Sequence, residues 1–345
     1  MPELKLLPIQ LSPVALRVAL GVALRVVLCA ALCAALCAAQ TPVIFDTDMG
    51  NDIDDALALA MLHSLSSRGE CRLLGVTLTN ASASAVPYVR LLNRFYGRPS
   101  LPVGAAQKHL KGGEQDGYLS AALQSAPAAF RVPDGTSEQS AEPAVTVLRR
   151  LLAASPEPVT LIQVGFSTNL ADLLASPPDA ISPLAGPDLV KAKVALLSAM
   201  AGNFAETTPE YNVRLDIPAA RAVFETWPTP ILFSGFEIGR SLLYPATSIQ
   251  RDYAYAPWHP VAVSYRAYQK MPYDRPTWDL TAALVAVRPA AKYFGLSAPG
   301  AVHVADNGTT RFEPGRGTRQ YLILDPAQKL RILEALTLLS SEPPH

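Results

Sequence analysis

Short apolar runs alternate with helical patterns along most of the chain. Thr41 to Phe45 (TPVIF) is a β-like run that ends directly in acidic residues, and Ala56 to Leu65 (ALALAMLHSL) is an apolar helix pattern. Arg72 to Leu78 reads as the next strand, Val86 to Tyr96 as the next helix and Leu101 to Val103 as a short third strand. Further along, Ala144 to Ala154 is predicted helical, Val159 to Val164 a buried strand and Asn169 to Leu174 the start of a helix. Lys193 to Leu197 and Pro230 to Phe233 predict strands, with a helix over Ala219 to Glu225 between them. Helices are predicted at Tyr265 to Lys270 and Leu280 to Val287, a late strand at Tyr321 to Leu324 and a closing helix at Lys329 to Leu339. This alternation predicts an α/β fold, one doubly wound, mostly parallel open sheet with helices on both faces. Residues 108–142, rich in Gly, Ser, Gln and Pro, read as a long insertion or lid, because the alternation resumes after them.

The N-terminal stretch has a different pattern. From Val26 to Ala39 no residue is charged, Arg17 and Arg25 precede the run, and small residues stand just before Gln40. That is the layout of a secretory signal peptide, and the run is shorter than the ~20 apolar residues of a membrane span. The expectation is therefore a cleaved segment, 1–39, and one domain, 40–345. The product would be periplasmic or extracellular and free of the membrane after cleavage. Leu28, Leu32 and Leu36 stand before the three early Cys, where a lipoprotein site usually has a small residue. Only Cys71 would remain, which excludes an intrachain disulfide and suits a small core residue beside Leu73 and Leu74.

Charge narrows the partners. The 345 residues hold 29 Lys+Arg and 29 Asp+Glu, and half are hydrophobic. A disordered polyelectrolyte and a nucleic-acid binder with a globally basic surface are both excluded. Loss of residues 1–39 would remove Lys5, Arg17, Arg25 and Glu3, leaving a formal charge of −2.

The acid is concentrated in one place. Asp46, Asp48, Asp52, Asp54 and Asp55 occupy five of ten positions between a buried strand and an apolar helix. Open α/β sheets bind ligands at the carboxyl ends of strands. Carboxylates crowded there repel one another unless a cation or shared protons compensate, and hard oxygen ligands suit Ca²⁺ or Mg²⁺. Helix capping explains Asp54 and Asp55 but accounts poorly for Asp46 and Asp48, which end a hydrophobic strand. An EF-hand register fails, because Asn51 or Ile53 stands at the glycine position and Leu57 or Leu59 at the glutamate position. A haloacid-dehalogenase-type phosphatase would also put Asp-x-Asp after the first strand. Here Gly50 replaces the usual Thr or Val, and no later acidic pair follows a strand.

The segment DTDMGNDIDDALAL resembles the N-terminal signature of the inosine–uridine nucleoside hydrolases, strand-D-x-D-x-G-x-D-D-A, with two extra residues before the final pair. Leu73 to Thr77 (LLGVT), Val159 to Ala171 (VTLIQVGFSTNLA), Met200 to Ala220 (MAGNFAETTPEYNVRLDIPAA) and Trp278-Asp279 are similar to later family segments, in the same order. The resemblance implies Ca²⁺-dependent hydrolysis of the N-glycosidic bond of a ribonucleoside or related N-riboside, with a place in purine or pyrimidine salvage. It implies that Asp48, Asp55, Asp279 and the Val164 carbonyl hold the metal, that substrate hydroxyls and a water complete the shell, and that Asp54 is the general base. Asp46 and Asp52 would support these groups. Asn80 (or Ser82), Met200, Asn203, Glu210, Asn212 and Trp278 would contact the substrate. The resemblance also implies a small ribosyl partner, no nucleic acid, and the homo-oligomerisation common in the family.

One residue departs from the pattern. Trp278 stands where many members carry the His that protonates the leaving base, and indole is no general acid. His259 is then the best remaining candidate acid, with Tyr265, Tyr268 and Tyr273 as further residues for a base pocket, whereas His63 sits on an apolar helix and reads as structural. A non-catalytic or differently specific ribosyl-ligand-binding protein of the same fold is the alternative that Trp278 permits.

Overall fold

The computed structural model describes residues 40–79, 82–107, 116–131 and 140–344. The proposed leader, 1–39, and Asn80 lie outside the described residues. Strand β1 (Thr41–Thr47) shows how the sheet acquires two covered faces. Val43 and Phe45 point into one core cluster and Ile44 into the other, all three fully buried. Successive side chains of a strand face opposite ways, so an apolar run without polar alternation must be covered on both sides.

Beside β1 lie β2 (Cys71–Leu78), β3 (Val103–Ala105) and β4 (Glu142–Pro143) on one flank, and β5 (Val159–Gln163), β6 (Val194–Met200) and β7 (Ile231–Ser234) on the other. All these pairings are parallel. Strands β8 (Leu243–Tyr244) and β9 (Arg275–Pro276) form a separate antiparallel pair. The last strands are β10 (Gly295–Leu296), β11 (Gly300–Val304), β12 (Thr310–Pro314) and β13 (Arg319–Ile323). β13 joins β7 in parallel, and β11 and β12 close that edge as an antiparallel hairpin. Strand order therefore reverses between β1 and β5, and a crevice opens at the carboxyl ends of those two strands.

Helices Asp54–Ser67, Ala85–Phe95 and Trp278–Val287 cover one face, and Ala144–Ala154, Thr168–Ala175 and Ile217–Thr226 the other. The expected insertion is partly regular. Within it, helix Gly117–Ser125 buries Tyr118, Leu119 and Ala122, with Ser264 Oγ donating to the Tyr118 carbonyl. Two turns of helix with three buried positions are enough to dock on the fold but too short to show a period. The edge hairpin β11–β12 and helix Gly186–Lys193 were likewise not legible as periodic runs. The helix expected from Tyr265 starts earlier, at Pro260, directly after the cap residue His259, and Pro suits that first helical position. Among the described residues no helix is long and apolar enough to cross a membrane.

Candidate active site

Two helix N-termini and two strand ends converge at the crevice. Asp54 and Asp55 open helix Asp54–Ser67, and Asp279 sits in the first turn of Trp278–Val287. Neither Asp54 nor Asp55 is the cap, a position held by Ile53 without a side-chain hydrogen bond. Instead the Asp279 N–H donates to Asp54 Oδ2 at 3.1 Å, and Thr47 Oγ1 donates to Asp55 Oδ1. One carboxylate oxygen from each of Asp54, Asp55 and Asp279 lies within 4.8 Å of the others, all three residues being buried. Asp48 faces the same cavity from the loop after β1 and accepts from Asn51 Nδ2 at 3.1 Å.

The cavity measures about 220 Å³. Asp48, Asp52, Asp54, Asp55, Asp279 and Glu210 supply its acid; Val164, Met200, Tyr211, Asn212, Phe236, Arg275 and Trp278 complete the wall. Burial first, and then repulsion from neighbouring carboxylates, pushes Asp54, Asp55 and Asp279 well above the usual carboxylate range. Asp48 is pushed up to about 8, by burial and then by the charges of Asp52 and Glu210. Such a group holds together only with protons or a cation, and hard oxygen donors at this spacing could hold one metal ion.

The other expected residues fall in distinct places. Asp46 is fully buried beneath the cavity and does not line it. Its Oδ1 accepts from Thr77 Oγ1 at 2.5 Å and Asn169 Nδ2 at 2.7 Å, while burial pushes its carboxyl up to about 7. A nucleophilic aspartate of the phosphatase type needs an open face, so that reading loses its support. Glu210 caps helix Tyr211–Leu215, accepting from Asn212 N (2.8 Å) and Val213 N (3.2 Å), and also from Gly202 N (3.1 Å). Burial pushes Glu210 up to about 7. Asn212 Nδ2 donates to the Val164 carbonyl at 2.8 Å and to the Met200 carbonyl at 3.2 Å, tying the ends of β5 and β6 together. Asn203 does not line the cavity. Its Nδ2 donates to Thr208 Oγ1 and its Oδ1 accepts from Ala205 N and Glu206 N, so it closes its own loop. Ser82, the alternative to Asn80, donates to Asp116 and also stands off the cavity wall.

Neither the candidate acid His259 nor the three tyrosines expected at a base pocket reaches the cavity. His259 is fully buried, its Nδ1 accepts from Val261 N at 3.2 Å as a helix cap, and burial pushes its ring down to about 3. Tyr265 and Tyr273 spend their hydroxyls on each other's carbonyls, and Tyr268 OH accepts from Arg275. None of the four lines the cavity. Trp278 does, stacked on Phe236 at 5.4 Å, with its Nε1–H donating to the Phe236 carbonyl at 2.9 Å. Gly239 permits this approach, since a Cβ there would stand 2.4 Å from Trp278 Cα.

Three residues that the sequence reading missed brace the longer acidic loop. Tyr118 OH accepts from Gly50 N at 3.1 Å and donates to the Asp52 carbonyl. Tyr211 OH donates to Asn51 Oδ1 at 3.0 Å. Arg275 donates to both carboxylate oxygens of Asp52, from Nε at 2.9 Å and from Nη2. No local signal marks them; only the two-residue lengthening of the loop hints that partners are needed.

A crevice at the strand-order reversal, floored by aspartates on two helix N-termini, defines a nucleoside hydrolase-like site. A family model described as inosine-uridine preferring nucleoside hydrolase matches residues 43–333, and the chain belongs to that family. It is 28% identical over 220 residues to the pyrimidine-specific ribonucleoside hydrolase RihA of Klebsiella pneumoniae, a match covering 61% of this chain and 65% of that relative. The matched stretch thus spans just under two thirds of the relative's length. Among solved structures it is similar to the inosine-uridine preferring nucleoside hydrolase of Bacillus anthracis (17% identity, TM-score 0.64, 88% of this chain and 99% of that one). It is also similar to the purine-preferring ribonucleoside hydrolase of Gardnerella vaginalis (18%, 0.65, 87% and 99%). At these identities the structural likeness speaks for the fold.

Proposed function

We propose that the protein is a Ca²⁺-dependent N-ribohydrolase that splits a ribonucleoside or related N-riboside into base and ribose. The observation that carries this reading is the cavity's polarity. Buried carboxylates of Asp48, Asp54, Asp55 and Asp279 form one end, and the Phe236–Trp278 stack forms a flat wall beside them. The donor set fits a hard cation, because one carboxylate oxygen from each of Asp54, Asp55 and Asp279 lies within 4.8 Å of the others and Asp48 faces the same cavity, an all-oxygen group of the kind that such ions take. Bound there, the cation would supply neutralisation of the buried charge and a lowered pKa for water.

The residues divide the labour accordingly. Asp48, Asp55, Asp279 and the Val164 carbonyl would hold the ion, and Asp54 would accept the proton of the attacking water. Glu210, Asn212 and Met200 face the ribose. Negative charge around the sugar stabilises the oxocarbenium-like state through which the C–N bond breaks. The test is kinetic. Asp54→Asn should lower kcat on inosine or uridine by about 10²–10⁴-fold with little change in KM. Activity within tenfold of wild type would remove Asp54 from the role of base.

A second reading is favoured by one observation. Among the described residues, no His, Lys or free carboxylic acid stands at the aromatic end of the cavity, and the Trp278 N–H is already engaged. A binder that has lost turnover would show calorimetric binding of ribose or nucleoside without release of base. Export is also proposed, on the apolar run before Gln40. N-terminal sequencing of the protein recovered outside the cytoplasm should begin near Gln40, and an intact Met1 would refute cleavage.

A further inference from the structure

Among the described residues, Arg275 is the one cationic side chain lining the cavity. It reaches the wall from β9. The Nε–Nη2 edge of its guanidinium is spent on Asp52, and Nη2 also donates to Tyr268 OH at 3.0 Å. Nη1 has no partner among the described residues. The fork geometry of guanidinium directs its two N–H bonds away from the edge that Asp52 occupies. The guanidinium carbon lies 5.6 Å from the Trp278 ring centroid and 5.0 Å from that of Tyr268, so the cation sits over both rings. The side chain is 22% exposed, enough to meet a ligand.

A mere brace for the loop would explain the ion pair but not the rest. Tyr118 already holds Gly50 and Asp52, and Tyr211 already holds Asn51. Asp52 instead orients a charged group that lines the cavity next to the Trp278 ring and keeps donors to spare. We infer that Arg275 is the leaving-group residue of this site, holding a hydrogen-bond acceptor on the edge of the departing base and stabilising the negative charge that base acquires.

The inference rests on the N-ribohydrolase reading and adds to it the residue that meets the leaving base. In the reaction the C1′–N bond breaks and its electron pair leaves with the nitrogen. The oxygen of water bonds to C1′, and the water's proton passes to Asp54 and then to solvent. The base departs as an anion against Arg275 and takes its proton from solvent, so one water is consumed overall. Guanidinium stays charged throughout, so its contribution is a charge-assisted hydrogen bond and not proton transfer.

The experiment compares inosine and uridine with p-nitrophenyl β-D-ribofuranoside, whose leaving group departs without help. Arg275→Gln should lower kcat on the nucleosides by about 10²–10³-fold and on the p-nitrophenyl riboside by less than about fivefold, the pattern of a lost oxyanion-type donor. Arg275→Lys should recover part of the nucleoside rate by restoring charge. Asp52→Asn, which loosens the clamp but keeps the cation, should cost the nucleosides less than Arg275→Gln does. Equal losses on both substrate types would overturn the inference and reduce Arg275 to a brace. Should Arg275→Gln fail to fold, Arg275→Lys carries the same comparison, with a nucleoside-selective loss expected and an equal loss overturning it. A wild type inactive on every riboside would instead bring down the hydrolase reading, and this inference with it.

Discussion

Asp48 is one of the carboxylates through which the site responds to pH. Its carboxyl is raised from 3.8 to about 8, first by burial and then by Asp52 and Glu210. The cation-free fold therefore holds a proton that the unfolded chain releases near 3.8. That contribution to stability is complete below the unfolded value and is lost progressively as pH rises to about 8. Cation capture must expel the same proton, so affinity runs the other way. Calorimetric titration with Ca²⁺ should show tightening by about tenfold per pH unit between about pH 6 and 8 for each proton displaced. Affinity that does not change with pH would mean the carboxylates are already ionised. At this scale the grouping of Asp48, Asp54, Asp55 and Asp279 was legible in the sequence, because they sit in recognisable segments. Arg275 was not, since its partner Asp52 is 223 residues away along the chain. Asn203 was misleading for the opposite reason: a short polar side chain in a turn satisfies its own backbone first.

The ends of β1 and β5 meet more closely than any side chain would allow. A Cβ on Gly165 would stand 2.5 Å from Thr79 Oγ1, 2.6 Å from Asp48 N and 2.8 Å from the Thr47 carbonyl carbon. Two of those neighbours are backbone, so the strain falls on the loop that carries Asp48. Gly165→Ala is expected to cost about 1–3 kcal/mol of stability, the usual range for overpacking. It should weaken Ca²⁺ binding more than it weakens the fold, by displacing Asp48 and the Val164 carbonyl together. Denaturant melts with and without Ca²⁺ separate the two effects, and an unchanged Ca²⁺-induced shift would show that the loops absorb the methyl. Continuous apolar strands such as Val159–Gln163 were plain in the sequence because both faces must be covered. Helix Gly117–Ser125 and hairpin β11–β12 were not, because each is short and buries only a few positions.

Both core clusters share a single sheet, and the cavity lies where its strand order turns. Unfolding should therefore be one event. Far-UV circular dichroism and tryptophan fluorescence, to which Trp278 contributes from the cavity wall, are expected to report one coincident transition, shifted upward by Ca²⁺. Two separated transitions would show that the flanks melt independently. The doubly wound class was readable from alternation alone, whereas the antiparallel edge depends on pairing that no local pattern encodes.

The convergence of Asp54 with Asp279, 225 residues further along, also sets an order of events. A growing chain lacks its fourth carboxylate until most of its length has been made. An ion held by the proposed site would therefore be captured only after most of the chain has been made, and its occupancy would mark that both ends of the fold have met.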